Sequence, residues 1–236
     1  MHSTPPVGPC ETISDAALDE QDGRLRAEAD ALLRRSRVMD ILRRFGTPHI
    51  SGSYAMCLMT WRDLDIYLEM RPCDTRAFLE LGRALGEALT PRKLSFTDHL
   101  HFPATEGLPG LYWGIRTADL AASGWKIDLW GVEPPTCAER LSRCESLAAR
   151  VDRATRYRIL RIKHAVCRLP EYRQTITSQQ VYDAVLEMGV TTVEEFMASQ
   201  RHRQEHECCY RSTVCVAGRN DSHHPPRTTQ RNPPCC

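Results

Sequence analysis

The stretch that decides the fold is ISGSYAMCLMTWRDLDIYLEM, residues 50–70, which holds a Gly-Ser pair and then Asp-Leu-Asp inside an apolar run. The last eight residues of this stretch predict a β-strand, and alternate residues of a strand point to the same side. Asp63 and Asp65 therefore project together, while Leu64 and Ile66 face the opposite way. Two carboxylates on one side repel each other, so their placement indicates a bound cation.

The composition of the 236 residues is typical of a folded globular protein, with 42% hydrophobic and 26% charged residues. The chain carries 31 basic and 30 acidic residues, and six of the arginines but only three of the acids follow residue 200. The first 200 residues thus have a small acidic excess. This balance argues against a domain that follows a nucleic-acid backbone.

The sequence also predicts the compartment. It contains no run of about 18 apolar residues, so we expect no membrane span. The N-terminus has no basic segment followed by an apolar core, so it does not resemble a signal peptide. We therefore expect a cytoplasmic protein in which the eleven cysteines are reduced thiols, most of them serving as small hydrophobic residues.

The predicted secondary structure divides the chain into a mixed α/β half and a helical half. Apolar residues at helical spacing predict one helix over residues 23–45, which Gly46 ends, and residues 54–61 predict a short helix. The remaining predicted elements are a short strand within residues 49–53 that runs into a turn, a helix over residues 74–90, strands over residues 63–70, 93–102, 110–118 and 125–132, and four helices between residues 137 and 201.

Residues 201–236 concentrate Cys, His, Pro and Arg and show no apolar periodicity, which predicts a disordered tail. An alternative interpretation makes some of the histidines and cysteines zinc ligands. Their spacing lacks the paired Cys-x-x-Cys pattern that is usual in zinc modules. The residues concerned are His202, His206, Cys208, Cys209 and Cys215.

A third acid follows in the segment WKIDLWGV, where Asp128 lies between Ile127 and Leu129. A carboxylate in so apolar a strand is costly unless it is paired, bound to a metal or turned outward. Three carboxylates on neighbouring strands would suit Mg²⁺, which prefers oxygen ligands, and a two-metal site can serve phosphoryl transfer. Upstream, Gly52 allows close approach of the backbone to a ligand, and Ser53 offers a hydroxyl and an amide at the start of a helix.

This order of motifs, from residue 47 to residue 131, resembles the nucleotidyltransferase superfamily related to DNA polymerase β. The resemblance implies that the turn at Gly52 and Ser53 holds a nucleoside triphosphate. It also implies that Asp63, Asp65 and Asp128 are catalytic residues that bind two Mg²⁺ ions, and that Asp128 helps to activate the acceptor hydroxyl.

The basic helix between residues 150 and 168 carries one further predicted site residue. Its arginines are expected to form a solvated face, whereas Lys163 lies near the apolar side of the helix. Members of the superfamily often bring a lysine from the helical domain to the triphosphate. By this resemblance Lys163 is our candidate for nucleotide binding.

The predicted architecture is an α+β fold in four regions. A catalytic nucleotidyltransferase domain with a mixed β-sheet flanked by helices is followed by a helical domain. The expected boundaries are a disordered N-terminus over residues 1–20, the catalytic domain over 21–135, the helical domain over 136–200 and the disordered tail over 201–236.

The predicted function is Mg²⁺-dependent transfer of a nucleoside monophosphate from a triphosphate, taken to be ATP, to a hydroxyl group, with release of pyrophosphate. We expect a small-molecule acceptor, for example a hydroxylated antibiotic, in preference to a nucleic acid; a protein hydroxyl is also open. The alternative is a catalytically silent, antitoxin-like module that binds a nucleotide or a partner. The presence of all three acids favours the enzyme.

Overall fold

The computed structural model describes residues 13–103, 107–117, 124–169, 171–172 and 175–203. The predictions for residues 1–12 and for most of the tail, including its zinc alternative, lie outside these residues.

A five-stranded mixed sheet forms the centre of the molecule, in the order β1-β2-β5-β4-β3. The central pair β2 and β5 is parallel, and the other three pairs are antiparallel. Helices flank the sheet, which confirms the predicted fold class. The strands are β1 (Thr47–Ser51), β2 (Asp63–Glu69), β3 (Lys93–Asp98), β4 (Leu111–Arg116) and β5 (Lys126–Val132).

The N-terminal helical region differs from the single helix predicted. It consists of α1 (Asp15–Arg35) and α2 (Val38–Arg43), separated by Arg37 in the left-handed conformation. Helix α1 begins earlier than expected because Ser14 caps it by accepting a hydrogen bond from the amide of Ala17 at 3.2 Å. Residues 15–20, predicted to be disordered, are therefore helical.

The helix predicted over residues 54–61 is also shorter in the structure. Helix α3 (Gly52–Ala55) makes one turn after β1, and Cys57 then adopts a positive φ of 56°. The following residues are irregular up to β2. After this short turn the chain leads to β2, and Leu58 and Met59 on the way are buried.

Two hydrophobic clusters stabilise the described chain. The first packs α1, α2 and helix α4 (Thr75–Leu89) against the sheet, with Phe78, Leu81 and Leu64 fully buried. The second lies in the helical half and includes Leu18 from α1 and Leu58 from the segment after α3. Helix α1 therefore contributes to both clusters.

The helical half consists of α5 (Pro134–Ala149), α6 (Arg153–Val166), α7 (Ser178–Leu186) and a last described helix over residues 193–203. A capping box formed by Thr177 and Gln180 begins α7, in agreement with the Thr-x-x-Gln signature at this point of the sequence. None of the helices in the described part of the chain combines the length and apolar character needed to span a bilayer.

Candidate active site

Three carboxylates lie side by side on two neighbouring strands. In β2 the odd-numbered residues are partly exposed and the even-numbered ones are buried, so Asp63 and Asp65 share the open face. Strand β5 runs parallel to β2, and its register places Asp128 directly opposite Asp65. The structure thus brings together the three acids that the sequence singled out, although Asp128 follows the other two by more than 60 residues along the chain.

The electrostatics of this acid cluster reflect crowding of like charges. Burial, and then repulsion by Asp65, raise the pKa of Asp63 to about 7. Burial and the charge of Asp128 likewise raise the pKa of Asp65 above its ordinary value. The positive charges of the protein therefore do not fully neutralise these carboxylates.

Lys126 and Tyr112 are the nearest partners of the cluster, and sequence reasoning missed both. Lys126 Nζ lies 3.2 Å from Asp63 Oδ1 and also pairs with Asp128 Oδ2. The hydroxyl of Tyr112 donates to Asp128 Oδ1 at 2.8 Å. Burial opposes the charge of Lys126, but the carboxylates of Asp63 and Asp128 outweigh it and raise its pKa. A lysine two residues before the strand aspartate was the available signal.

The residues present fit a divalent cation. One lysine faces three carboxylates: Lys126 Nζ lies 3.2 Å from Asp63 Oδ1 and also pairs with Asp128 Oδ2, so the cluster keeps an excess of negative charge. An ion such as Mg²⁺ would supply the missing positive charge, and carboxylate oxygens are the ligands that it prefers.

The Gly-Ser turn touches the acid cluster. Gly52 has a φ of 62°, and a Cβ atom built there would lie 2.1 Å from Asp65 Oδ2. Glycine is required on both counts, because other residues rarely adopt this conformation and because there is no space for a side chain. The turn and the acids therefore form one surface.

Ser53 belongs to a buried polar group that also includes Lys163 and Tyr182. Lys163 Nζ donates to Ser53 Oγ at 2.8 Å, to the carbonyl of Leu58 at 2.7 Å and to the hydroxyl of Tyr182 at 3.0 Å. The lysine is fully buried, whereas Ser53 and Tyr182 line the cleft beside the acids. Lys163 thus lies behind the cleft wall, and its direct contact with a triphosphate stays a prediction.

The acid cluster opens into a cleft of about 480 Å³ between the sheet and the helical half. Helix α5 contributes Arg140 and Arg143 to its wall, and β4 contributes Arg116. Arg116 Nη1 and Arg140 Nε are buried and have no hydrogen-bond partner among the described residues. Unpaired guanidinium nitrogens beside a carboxylate cluster suit an anionic ligand. This basic wall could not be recognised from the sequence, because single arginines carry no signal in a chain that contains many arginines.

No protein-family model and no curated protein matches this sequence. Solved structures with a similar arrangement include a cytoplasmic RNA terminal U-transferase, at 18% identity and a TM-score of 0.45 over 74% of this chain and 48% of that chain. Another is the Cid1 poly(U) polymerase with bound Mg 3'-dATP, at 17% identity and a TM-score of 0.44 over 74% of this chain and 50% of that one.

A third is terminal uridylyl transferase 4 from Trypanosoma brucei with bound UPU, at 12% identity and a TM-score of 0.46. That match covers 72% of this chain and 59% of the other. This chain therefore spans about half of the length of the solved structures that it resembles.

Proposed function

We propose that this protein is a Mg²⁺-dependent nucleotidyltransferase that uses ATP or another nucleoside triphosphate. The observation that carries the proposal is the juxtaposition of Asp63, Asp65 and Asp128 on adjacent strands with the Gly52 turn against Asp65. A carboxylate cluster beside a glycine turn provides both cation ligands and a place where phosphate can approach the backbone.

Each part of the cleft has a role in this proposal. Asp63, Asp65 and Asp128 would hold the metal ions, which supply charge neutralisation and alignment of the attacking and leaving oxygens. Gly52 and Ser53 would contact the triphosphate, and Lys163 would position the Ser53 hydroxyl through its 2.8 Å hydrogen bond.

The attack itself requires loss of a proton from the acceptor hydroxyl to Asp128. The carboxylate of Asp128 is held in place by Tyr112 and Lys126. The hydroxyl oxygen then forms a bond to the α-phosphorus, and the bond from that phosphorus to the bridging oxygen breaks. Pyrophosphate leaves with the electron pair of that bond.

The acceptor is proposed to be a small molecule with a free hydroxyl, in line with the charge balance of the first 200 residues. A nucleic-acid 3′-hydroxyl is the second candidate. It is favoured by the basic wall of the cleft, where Arg116, Arg140 and Arg143 join Lys126. Phosphate-bearing acceptors would use such charges.

The test combines activity and binding. Pyrophosphate release is measured with Mg²⁺ and each nucleoside triphosphate, against a panel of hydroxylated small molecules and short RNA and DNA oligonucleotides, and the modified acceptor is identified by mass spectrometry. We expect transfer that depends on both Mg²⁺ and acceptor and is absent in Asp65→Asn. Nucleotide binding without transfer to any acceptor would instead support the silent binding module.

The salt dependence separates the two acceptor classes. Affinity for a nucleic acid falls steeply as salt rises, because each neutralised phosphate releases counterions. Affinity for an uncharged hydroxylated molecule changes little between about 50 and 200 mM salt. A steep dependence would overturn the small-molecule assignment.

A further inference from the structure

The open face of the sheet continues beyond the acids to a second cluster of polar side chains. In the antiparallel pair of β1 and β2, Ser51 lies opposite Asp65, His49 opposite Tyr67 and Thr47 opposite Glu69. His49 and Glu69 are therefore diagonal neighbours on the same face as the acids. Helix α5 packs on this face and places Cys137, in its first turn, above the two strands.

His49, Glu69 and Cys137 each direct one ligand atom to a common point. An imidazole nitrogen, a carboxylate oxygen and the Cys137 sulfur all lie within 4.8 Å of one another. Cys137 is fully buried, and His49 Nε2 is buried without a hydrogen-bond partner among the described residues. A buried ring nitrogen without a partner destabilises the folded state, unless a metal ion accepts its lone pair or another group donates a hydrogen bond to it.

The donor set is different in kind from the acid cluster. Nitrogen, sulfur and oxygen donors together suit Zn²⁺, whereas Mg²⁺ prefers oxygen alone. A thiolate and a carboxylate would cancel the two charges of the ion and leave a neutral site. Arg71 Nε contacts one oxygen of Glu69 at 3.3 Å from the solvent side and would fix the orientation of that carboxylate.

We propose that His49, Glu69 and Cys137 form a zinc site that fastens α5 to the sheet, with a water molecule as the fourth ligand. Ligand atoms around tetrahedral zinc lie roughly 3.3–3.7 Å apart, so atoms that lie within 4.8 Å of one another need to close by no more than about 1.5 Å. Zinc here would fix the helix that carries Arg140 and Arg143, and thereby one wall of the cleft.

The test is zinc and cobalt binding by the full chain after removal of metals with a chelator. Cysteines elsewhere can also bind these metals, so the result is read as a difference between variants. We expect wild type to bind one more equivalent of Zn²⁺ than Cys137→Ala does. The Co²⁺-bound form of that variant should also show a weaker thiolate charge-transfer absorption than wild type. Cys144→Ala, on the same helix but outside the cluster, is the matched control and should behave as wild type.

Glu69→Gln provides an independent variant, because this side chain is partly exposed and the substitution preserves its size. Glu69→Gln should lower the affinity for this Zn²⁺ ion by at least about 10-fold. Mutation of residues that only support metal ligands already lowers metal affinity to that extent. Zn²⁺ should also raise the melting temperature of wild type more than that of either variant. Equal stoichiometry and affinity in wild type, Cys137→Ala and Glu69→Gln would overturn the proposal.

Discussion

Gly52 is the residue at which backbone conformation and the acid cluster meet. Gly52→Ala should reduce Mg²⁺-dependent nucleotide affinity by about 100-fold, because the new Cβ displaces the Asp65 carboxylate and small misplacements in such sites are costly. Gly189→Ala is the matched control, with a φ of 69° and no atom within 4 Å of the new Cβ. Both variants should lose about 1–2 kcal/mol of stability from the left-handed conformation.

The measurement is calorimetric titration of a non-hydrolysable triphosphate analogue with Mg²⁺, after circular dichroism shows that both variants fold. If Gly52→Ala binds the analogue as tightly as Gly189→Ala does, the turn is an ordinary strand-to-helix connection.

Asp63 should make the stability of the metal-free protein depend on pH. Its pKa is raised from 3.8 in the unfolded chain to about 7 in the folded one, so the folded state favours the protonated form. The resulting contribution to stability is fully present below about pH 4 and is lost as the pH rises through about 7. Asp63→Asn should therefore be more stable than wild type at pH 8 in a chelator, and should lack transferase activity.

Thermal unfolding from pH 4 to pH 8, with and without Mg²⁺, checks this expectation. Asp40→Asn serves as the control, because Asp40 is exposed and pairs only with surface arginines in the described chain. Parallel stability profiles for wild type and Asp63→Asn would show that Asp63 is already compensated in the folded protein.

At the scale of single residues, the sequence revealed the three acids of the site but not the side chains that contact them. Asp63, Asp65 and Asp128 are visible because carboxylates inside apolar strands conflict with burial, and that conflict can be recognised locally. Tyr112 meets Asp128 through the pairing of β4 with β5, and Lys126 meets Asp63 through the pairing of β5 with β2. Strand pairing is a non-local property, so these two contacts could not be predicted from spacing, whereas the contact of Lys126 with Asp128 follows from their separation of two residues along β5.

Among the elements, the junction between α1, α6 and the segment after α3 depends on one buried acid. Asp22 is 3% exposed, accepts the amide of Met59 at 2.8 Å and pairs with Arg156 at 3.2 Å. Arg156 also donates to the carbonyl of Cys57 at 3.1 Å. This arrangement links three segments that are far apart in the sequence.

Asp22→Ala should lower the free energy of unfolding by about 1–3 kcal/mol, because it leaves the buried amide of Met59 without an acceptor, while Arg156 keeps Asp19 as its partner. Asp40→Ala removes an exposed carboxylate and should cost no more than about 1 kcal/mol. Urea unfolding of the two variants gives the comparison. A similar small cost for both would mean that water replaces the Asp22 carboxylate.

Element prediction succeeded where local signals were strong. Asp74 before α4 and Thr177 in the Thr-x-x-Gln sequence before α7 are recognisable capping residues, and both accept amide hydrogen bonds in the structure. The start of α1 was wrong because residues 15–22 contain five acids or amides and few apolar residues. The missed clue was the helical spacing of Leu18, Asp22 and Leu25, which places all three on the buried side of α1.

On the scale of the whole molecule, α1 joins the two hydrophobic clusters. Leu25 and Ala29 pack with the sheet, while Leu18 packs with the helical half. Composition along the chain indicated the change from mixed to helical structure near residue 136. It could not indicate that an N-terminal helix contacts α6, because that contact spans well over 100 residues.

The last fully buried hydrophobic residue of the described chain is Phe196, which lies in the second cluster with Met197 packed against the same cluster. A chain that ends after residue 203 retains this residue, whereas a chain that ends after residue 195 loses it. Removal of a buried phenylalanine costs about 3–5 kcal/mol, so the shorter chain should be destabilised by at least that amount. The longer one should unfold within about 2 °C of the full chain, since residues 204–236 lack an apolar pattern that could add to the core.

Melting temperatures and nucleotide affinities of the three lengths test this expectation, with each protein measured both with and without Zn²⁺. The two truncations differ by only eight residues, so a difference between them isolates the contribution of the last helix. Truncation after residue 203 could instead lower the melting temperature, with Zn²⁺ stabilising only the full chain. That result would assign the cysteines and histidines of the tail a structural role. If zinc stabilises the full chain and the 203-residue chain alike, the metal binds within the first 203 residues, which include the cluster of His49, Glu69 and Cys137.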